Sequence, residues 1–258
     1  MAQSNGHINI TAFIRVKNEI PTLQACLNSI DGVFDNIVII YADEPDDGSS
    51  DLLHKWCRWR FNCSIYKYPY AVIPSHDKRY HATYFYKNSL AAYNQFGLDK
   101  IDDNDFVVKI DADQVYIKTR LQALMDEIRT QAAKDDKFKW GIRGYNTFVY
   151  NNKLVKYRPN PINGGYDHYI VKKRYLKGFY QRGPLEYLDN HPELKPKVLS
   201  GLYWFHFMDT LKSNKSVRFT NEAKEDEIEI LTPDEMKLFE QTIRPMFPKD
   251  TSYAHIKL

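Results

Sequence analysis

The chain has 258 residues, of which 43% are hydrophobic, and a formal net charge of +3. These values fit a soluble globular protein with one large domain, alone or with an appendage. The charge is too small to indicate nucleic-acid binding by itself, and no stretch approaches the roughly 18 apolar residues that would span a bilayer.

The cysteines and the amino terminus predict an intracellular protein. The first residues lack the charged and then apolar layout of a secretory signal. The spacing of Cys57 and Cys63 matches no common zinc pattern. We therefore expect Cys26, Cys57 and Cys63 to be reduced core residues of a cytoplasmic protein.

Strand-like and helix-like segments alternate in the first half of the chain. β-Branched runs predict strands, whereas apolar residues at helical spacing predict helices. The predicted strands are 8–16, 34–43, 63–70 and 106–111, and the predicted helices are 21–30, 52–61, 89–99 and 118–133. This alternation predicts an α/β fold with a mainly parallel sheet that helices flank on both faces.

The second half of the chain has a different pattern. After about residue 140 the segments are typical of strands and loops, with one further helix predicted at 232–243 and capped by Thr232. Because no composition break supports a linker, we expect one domain over residues 1–258.

Three polar clusters follow predicted strands, at Arg15–Glu19, Asp43–Asp47 and Asp111–Asp113. In parallel sheets of α/β proteins, ligands bind outside the carboxyl ends of the strands. The clusters are therefore predicted to meet along one rim of the sheet, although they are far apart in sequence.

The pair Asp111 and Asp113 forms a D-x-D motif at the end of a buried strand. Carboxylate oxygens suit Mg²⁺ or Mn²⁺, which leave coordination positions for substrate phosphates and water. Both acids could instead be ordinary loop residues. The preceding "DDGSSD" loop also allows two interpretations, because Ser50 or Asp51 could cap a helix, or an acid could accept the N3–H of uracil.

The motifs "AFIRVKNE", "DDGSSD", "KYPY" and "KIDADQVY" together resemble the bacterial β-1,4-N-acetylgalactosaminyltransferases of lipooligosaccharide outer-core synthesis. More distantly, the chain resembles the inverting GT-A glycosyltransferases, which have a Rossmann-like sheet. The resemblance covers residues 10–210 in patches. It implies a nucleotide-sugar-binding half at about 1–130 and a smaller acceptor-binding half at about 131–258.

The resemblance implies roles for the acids and amides of the rim. Arg15, Asn18 and Glu19 match the motif that lies against the nucleotide, and either Asp43 or Asp47 matches an acid near the uracil pocket. The implied metal ligands are Asp111, which could alternatively approach the ribose, Asp113 and His206.

The catalytic base is less closely defined. Inverting transfer needs a carboxylate that takes the proton of the acceptor hydroxyl. Glu186 is the first choice by resemblance, Asp167 the second and Asp189 the third. Aromatic residues could present flat faces to acceptor sugars; the candidates are Tyr166, Tyr169, Tyr203 and Trp204.

We therefore expect a Mn²⁺- or Mg²⁺-dependent glycosyltransferase that moves a sugar, with N-acetylgalactosamine the first choice, from UDP to a lipooligosaccharide or other surface glycan. The alternatives are a hexosyltransferase that uses UDP-galactose or UDP-glucose and a non-catalytic nucleotide-sugar-binding protein of the same fold. A lipid-linked acceptor would bring the protein to the inner face of the cytoplasmic membrane as a peripheral contact. The oligomeric state is left open.

Overall fold

The computed structural model describes residues 7–42, 47–73, 87–182, 185–208 and 225–256. Its first half alternates strands and helices as the sequence predicts. The elements are β1 (Ile10–Val16), α1 (Ile20–Ile30), β2 (Asn36–Tyr41), α2 (Ser49–Cys57), β3 (Cys63–Lys67), α3 (Leu90–Leu98), β4 (Phe106–Asp111), β5 (Gln114–Tyr116) and α4 (Lys118–Ala132).

The second half is dominated by strands, again as predicted. The elements are β6 (Phe138–Tyr150), β7 (Lys153–Tyr157), β8 (Ile162–Lys172), β9 (Leu176–Arg182), β10 (Leu185–Asn190), β11 (Lys195–Phe207), β12 (Ile228–Ile230) and α5 (Pro233–Leu238). The predicted cap of the last helix is confirmed, because the Thr232 hydroxyl accepts the Glu235 N–H and the Glu235 carboxylate accepts the Thr232 N–H.

One large sheet runs through both halves of the chain in the order β12–β7–β6–β8–β4–β1–β2–β3. The first four strands in sequence are parallel and stand in the order β3–β2–β1–β4, as in doubly wound nucleotide-binding folds. Strand β8 joins β4 in antiparallel orientation and leads into the second half. The predicted α/β class, with a parallel sheet that helices flank, is confirmed, and antiparallel strands extend the sheet.

Helices cover both faces of the parallel strands, which explains why β1, β2 and β4 are almost continuously apolar. Helices α1, α2 and α4 pack on one face, and the predicted apolar side of α4 is buried there. Helix α3 packs on the other face together with the β9–β10 hairpin. This second layer carries side chains to the rim where the polar clusters meet.

The prediction that all three cysteines are reduced is wrong. Helix α2 ends at Cys57 and β3 begins at Cys63, so their Cα atoms lie 5.6 Å apart and the two residues form a disulfide. Cys26 is free and buried, as expected. Among the described residues, no helix is long and apolar enough to span a membrane.

The close approach of α3 to the sheet depends on Gly97. A Cβ atom at this position would lie 2.8 Å from Phe13 Cζ and 2.9 Å from Ile40 Cδ1, which is closer than van der Waals contact allows. We predict that Gly97→Ala lowers the free energy of unfolding by about 1–3 kcal/mol, because overpacking outweighs the gain in helix propensity. Denaturant unfolding measures this change.

A double-mutant cycle provides the control for this prediction. Phe13→Leu removes the ring atoms that the new methyl group meets, so Gly97→Ala is expected to cost less in that background. Equal costs in both backgrounds would contradict the assignment of the clash to Phe13.

Candidate active site

Arg15 and Asp111 stand at the carboxyl ends of two neighbouring parallel strands. The register of β1 and β4 places them directly opposite each other. Arg15 Nε donates to Asp111 Oδ1 over 2.9 Å, which fixes the guanidinium at the rim of the sheet. The predicted meeting of the first and third polar clusters is therefore observed.

The same guanidinium reaches the hairpin on the second face. Arg15 Nη1 donates to Glu186 Oε1 over 2.6 Å. Asn94 of α3 donates its amide to the same carboxylate oxygen over 3.1 Å. Arg15 thus links the central sheet to β10, which lies 171 residues further along the chain.

A buried lysine completes the charge cluster. Lys109, only 1% exposed, lies with Nζ 3.2 Å from Asp111 Oδ2 and 3.6 Å from Asp167 Oδ1. Burial alone would raise the pKa of Asp111, but Arg15 and Lys109 hold it well below its usual range. Lys109 likewise lowers the pKa of Asp167.

His168 fills the space beside these acids without adding charge. Its ring lies 3.7 Å from Asp111 Oδ2 and 3.8 Å from Asp167 Oδ2. Burial, reinforced by Lys109, lowers the pKa of His168 to about 4, so the imidazole is neutral at pH 7.

Asp113 and His206 form a second part of the site. His206 Nε2 lies 3.0 Å from Asp113 Oδ2. On the other side of the ring, Nδ1 lies 2.7 Å from Asn146 Oδ1, and Asn146 is itself fixed because its amide donates to the Asn160 carbonyl. Nδ1 also lies 2.9 Å from the Asn163 amide nitrogen, so Asn146 and Asn163 together hold the ring in place. A neutral imidazole whose Nε2 lone pair faces Asp113 could share a metal ion with that carboxylate.

The remaining oxygen of Asp113 is buried and has no hydrogen-bond partner among the described residues. A buried carboxylate oxygen destabilises the folded state unless it binds a cation or accepts a hydrogen bond. Asp113 and His206 therefore fit a divalent cation whose other ligands would be substrate phosphates and water. No group of three or more His, Cys, Asp or Glu side chains within the described ranges is arranged to hold a metal.

Asp111, the third implied ligand, is engaged differently. Its two oxygens face Arg15 and Lys109. Its backbone carbonyl also accepts a weak hydrogen bond from the Cys26 thiol at 3.7 Å. Its role as a metal ligand or ribose contact stays a prediction.

The "KNE" segment lies at the end of β1, close to Asp113. Asn18 is buried and has a φ of 63°, a left-handed conformation that asparagine tolerates better than most residues. Glu19 accepts the Lys17 N–H. Burial and then the charge of Asp113 raise the pKa of Glu19 well above its usual range. Glu19 thus lies within range of the Asp113 charge, and the contact of Asn18 and Glu19 with a nucleotide stays a prediction.

The two candidates for the uracil contact cannot be compared directly, because Asp43 lies outside the described residues. Asp47 is described, and its oxygens accept the N–H groups of Ile20, over 3.0 Å, and of Ser49, over 3.1 Å. Asp47 therefore stabilises the first turns of α1 and α2. The choice between the two acids stays open.

The candidate bases lie on β8 and β10. Glu186 is partly buried on a strand, and its Oε2 has no partner within the described part of the chain. Asp167 is 72% exposed at its side chain. Asp189 is exposed on β10 and makes no described contact with the cluster.

The expectation that aromatic residues line an acceptor surface needs correction. Tyr169 is 2% exposed and Trp204 is 0% exposed, so neither can present a face to a sugar. Trp204 is held in the core beside Gly144, Gly164 and the His168 ring. Tyr203 is half-buried, and the side chain of Tyr166 lies outside what the structure describes.

Sequence reasoning missed Lys109, Asn94 and Asn146. A signal for Lys109 exists, because it lies two residues before Asp111 and therefore on the same side of the strand. Asn94 and Asn146 have no such signal, since only tertiary packing brings them to Glu186 and His206.

A family model described as beta-1,4-N-acetylgalactosaminyltransferase (CgtA) matches residues 2–153, more than half of the chain. No curated protein matches the chain significantly.

Two solved structures of S. aureus TarS 1–349 are similar to this chain. The first has 11% identity and a TM-score of 0.45, over 78% of this chain and 61% of that one. The complex of the same protein with UDP-GlcNAc has 10% identity and a TM-score of 0.44, over 93% of this chain and 66% of that one. The chain therefore spans less than two thirds of these structures.

Removal of the Arg15 guanidinium leaves Asp111 and Glu186 facing each other without a shared cation. We predict that Arg15→Ala lowers the free energy of unfolding by about 2 kcal/mol, because the two carboxylates are largely shielded from water. Arg174, whose side chain is 44% exposed and pairs with Asp136, provides the matched control.

Arg174→Ala is expected to lower the free energy of unfolding by less than about 1 kcal/mol, as for other surface ion pairs. Chemical denaturation of both variants measures the difference. Equal losses would show that the Arg15 cluster contributes no more than a surface ion pair.

Proposed function

The chain belongs to the beta-1,4-N-acetylgalactosaminyltransferase (CgtA) family, and we propose that it is an inverting, metal-dependent glycosyltransferase. Its donor would be UDP-N-acetylgalactosamine, and its acceptor a lipooligosaccharide or other surface glycan that is attached to a lipid. The observation that carries the metal-dependent mechanism is the buried Oδ1 of Asp113 beside His206, which has no partner among the described residues. Family membership supports the transferase activity.

In this mechanism Asp113 and His206 would hold a Mn²⁺ or Mg²⁺ ion together with the donor diphosphate. Two protein ligands suffice, because phosphate oxygens and water complete the coordination of such cations. The bound ion would act as a Lewis acid that neutralises the departing diphosphate. Asn146 and Asn163 orient His206 through their contacts with Nδ1 on the far side of the ring.

Arg15 and Lys109 supply positive charge next to the cation position. Arg15 is held by Asp111, so its guanidinium stays at the rim and presents a planar group that suits phosphate oxygens. Lys109 holds Asp111 from the other side. These two basic residues thus keep the end of β4 rigid and limit repulsion between its acids and an anionic donor.

Transfer with inversion needs a proton acceptor on the acceptor side of the anomeric carbon. Glu186 fits this task because one carboxylate oxygen is positioned by Arg15 and Asn94, while Oε2 has no partner among the described residues. Asp167 is the second candidate, with one oxygen 3.6 Å from Lys109, which lowers its pKa.

We expect Mn²⁺-dependent release of UDP from UDP-N-acetylgalactosamine, and transfer when a glycan acceptor is present. Asp113→Ala is predicted to lower kcat/KM at least about 100-fold, because the cation loses its buried carboxylate. Treatment with EDTA should have a similar effect that Mn²⁺ reverses. The measurement is UDP production at fixed donor concentration.

The control variant is Asp135→Ala, which removes an acid that pairs with Lys195 outside the site. Its activity should equal that of the unchanged protein. UDP production that resists both EDTA and Asp113→Ala would refute the metal assignment. Faster turnover of UDP-galactose or UDP-glucose in a donor panel would identify a hexosyltransferase instead.

Two isosteric substitutions distinguish the candidates for the catalytic base. Glu186→Gln is predicted to lower kcat for transfer by about 10²–10⁴-fold with little change in donor KM, because the amide keeps the shape of the side chain but accepts no proton. Asp167→Asn should lower kcat by much less. Steady-state transfer kinetics measure both, and the reverse ranking would make Asp167 the base.

A further inference from the structure

A short loop between α2 and β3 presents two large apolar side chains to solvent. Trp59 is 82% exposed and Phe61 is 108% exposed. The other three tryptophans of the chain are buried, with 6% exposure for Trp56 and Trp140 and 0% for Trp204. Exposure of a tryptophan and a phenylalanine within three residues opposes the hydrophobic effect and is typical of a surface that binds something.

The base of this loop is rigid. The Cys57–Cys63 disulfide closes the segment, and Trp56 is buried beneath it. The Arg60 guanidinium lies 3.9 Å above the Trp56 ring and forms two hydrogen bonds with Asp31, of 2.9 and 3.0 Å. These contacts hold the loop in place, so the side chains of Trp59 and Phe61 stay directed away from the protein.

The segment that carries Trp59 and Phe61 is basic, although two acids lie beside it: Asp31 pairs with Arg60, and Asp105 lines a small cavity with Phe61. Between Leu52 and Ile73 the sequence has four basic residues and no acidic residue. Lys55 and Arg58 are exposed, and neither forms an ion pair with any residue that the structure describes. Exposed aromatic side chains beside basic residues suit a surface that has a negatively charged outer layer and an apolar interior.

We propose that the loop Arg58–Asn62 docks the protein on an anionic lipid bilayer. Trp59 and Phe61 would enter the interfacial region, while Lys55 and Arg58 would contact lipid phosphates. A peptide partner could use two nearby features, which are the free edge of β3 in the described sheet and a small polar cavity that Phe61 and Asn62 line together with Lys100 and Asp105. Trp59 lines neither of them, whereas an anionic bilayer would take both apolar side chains and the basic residues beside them. The bilayer is thus the simplest occupant.

The position of the loop in the fold sets the geometry of docking. The loop precedes β3 and therefore lies at the amino ends of the parallel strands, whereas the candidate site lies at the carboxyl ends of β1 and β4. One strand length, about 20 Å, separates the two ends. Docking would therefore hold the site away from the lipid head groups, within reach of sugars that project from a lipid.

The test uses the oxidised full chain and phosphatidylcholine vesicles with and without phosphatidylglycerol. We expect co-sedimentation with the anionic vesicles, weakened by salt. Because Trp59 is the one exposed tryptophan, its emission should shift to the blue on binding and be quenched by brominated lipids. Combined Trp59→Ala and Phe61→Ala changes should weaken binding about tenfold or more, and Arg58→Gln about fivefold.

The matched control is Ile230→Ala. Ile230 is 75% exposed on β12, at the opposite edge of the sheet from β3, so its loss should leave vesicle binding unchanged. Circular dichroism checks that each variant is folded. Neither readout depends on sugar transfer, so the outcome is independent of the proposed activity.

Three results would overturn the proposal. The first is no binding to anionic vesicles, and the second is binding that survives the double change at Trp59 and Phe61. The third is a blue shift of Trp59 emission that grows with protein concentration in the absence of lipid, which would make the loop an interface between two copies of the chain.

Discussion

The ion pair between Arg15 and Asp111 determines how the candidate site is built. The two residues face each other across parallel strands at the point where the sheet ends, and both are largely removed from water. Charges in such a place must be matched, because an unpaired one costs several kcal/mol. The ion pair therefore holds the two strand ends together. Any further ionised acid beside it needs either its own cation or one that it shares with a neighbouring acid.

That requirement explains how distant parts of the chain converge. Glu186 shares Arg15 with Asp111, and Asp167 shares Lys109 with the same aspartate. Two basic residues thus form ion pairs with three carboxylates. Asp113 differs, because its Oδ2 faces the imidazole of His206, Glu19 lies within range of its charge, and its Oδ1 is buried without a partner among the described residues. Within the described ranges Asp113 pairs with no lysine or arginine, and this is where a cation would be held.

The sequence predicts much of this fold for physical reasons that are local. Buried β-branched runs identify β1, β2 and β4, and the rule that parallel strands end at a common edge brings Arg15 to Asp111. The remaining features depend on tertiary packing. The partial burial of Glu186 beside Arg15 could not be inferred from its sequence neighbours, and Trp204 resembles a binding aromatic until its burial is known. The Cys57–Cys63 bridge follows from the place where α2 ends, which a spacing of six residues does not reveal.

Anomalous diffraction from crystals grown with Mn²⁺ and UDP tests the assignment of Asp113 most directly. We predict one manganese peak about 2.2 Å from Asp113 Oδ1, with His206 Nε2 and oxygens of the diphosphate among its other ligands. A peak elsewhere, or UDP bound at the rim with Asp113 still without a cation, would contradict the metal-assisted mechanism.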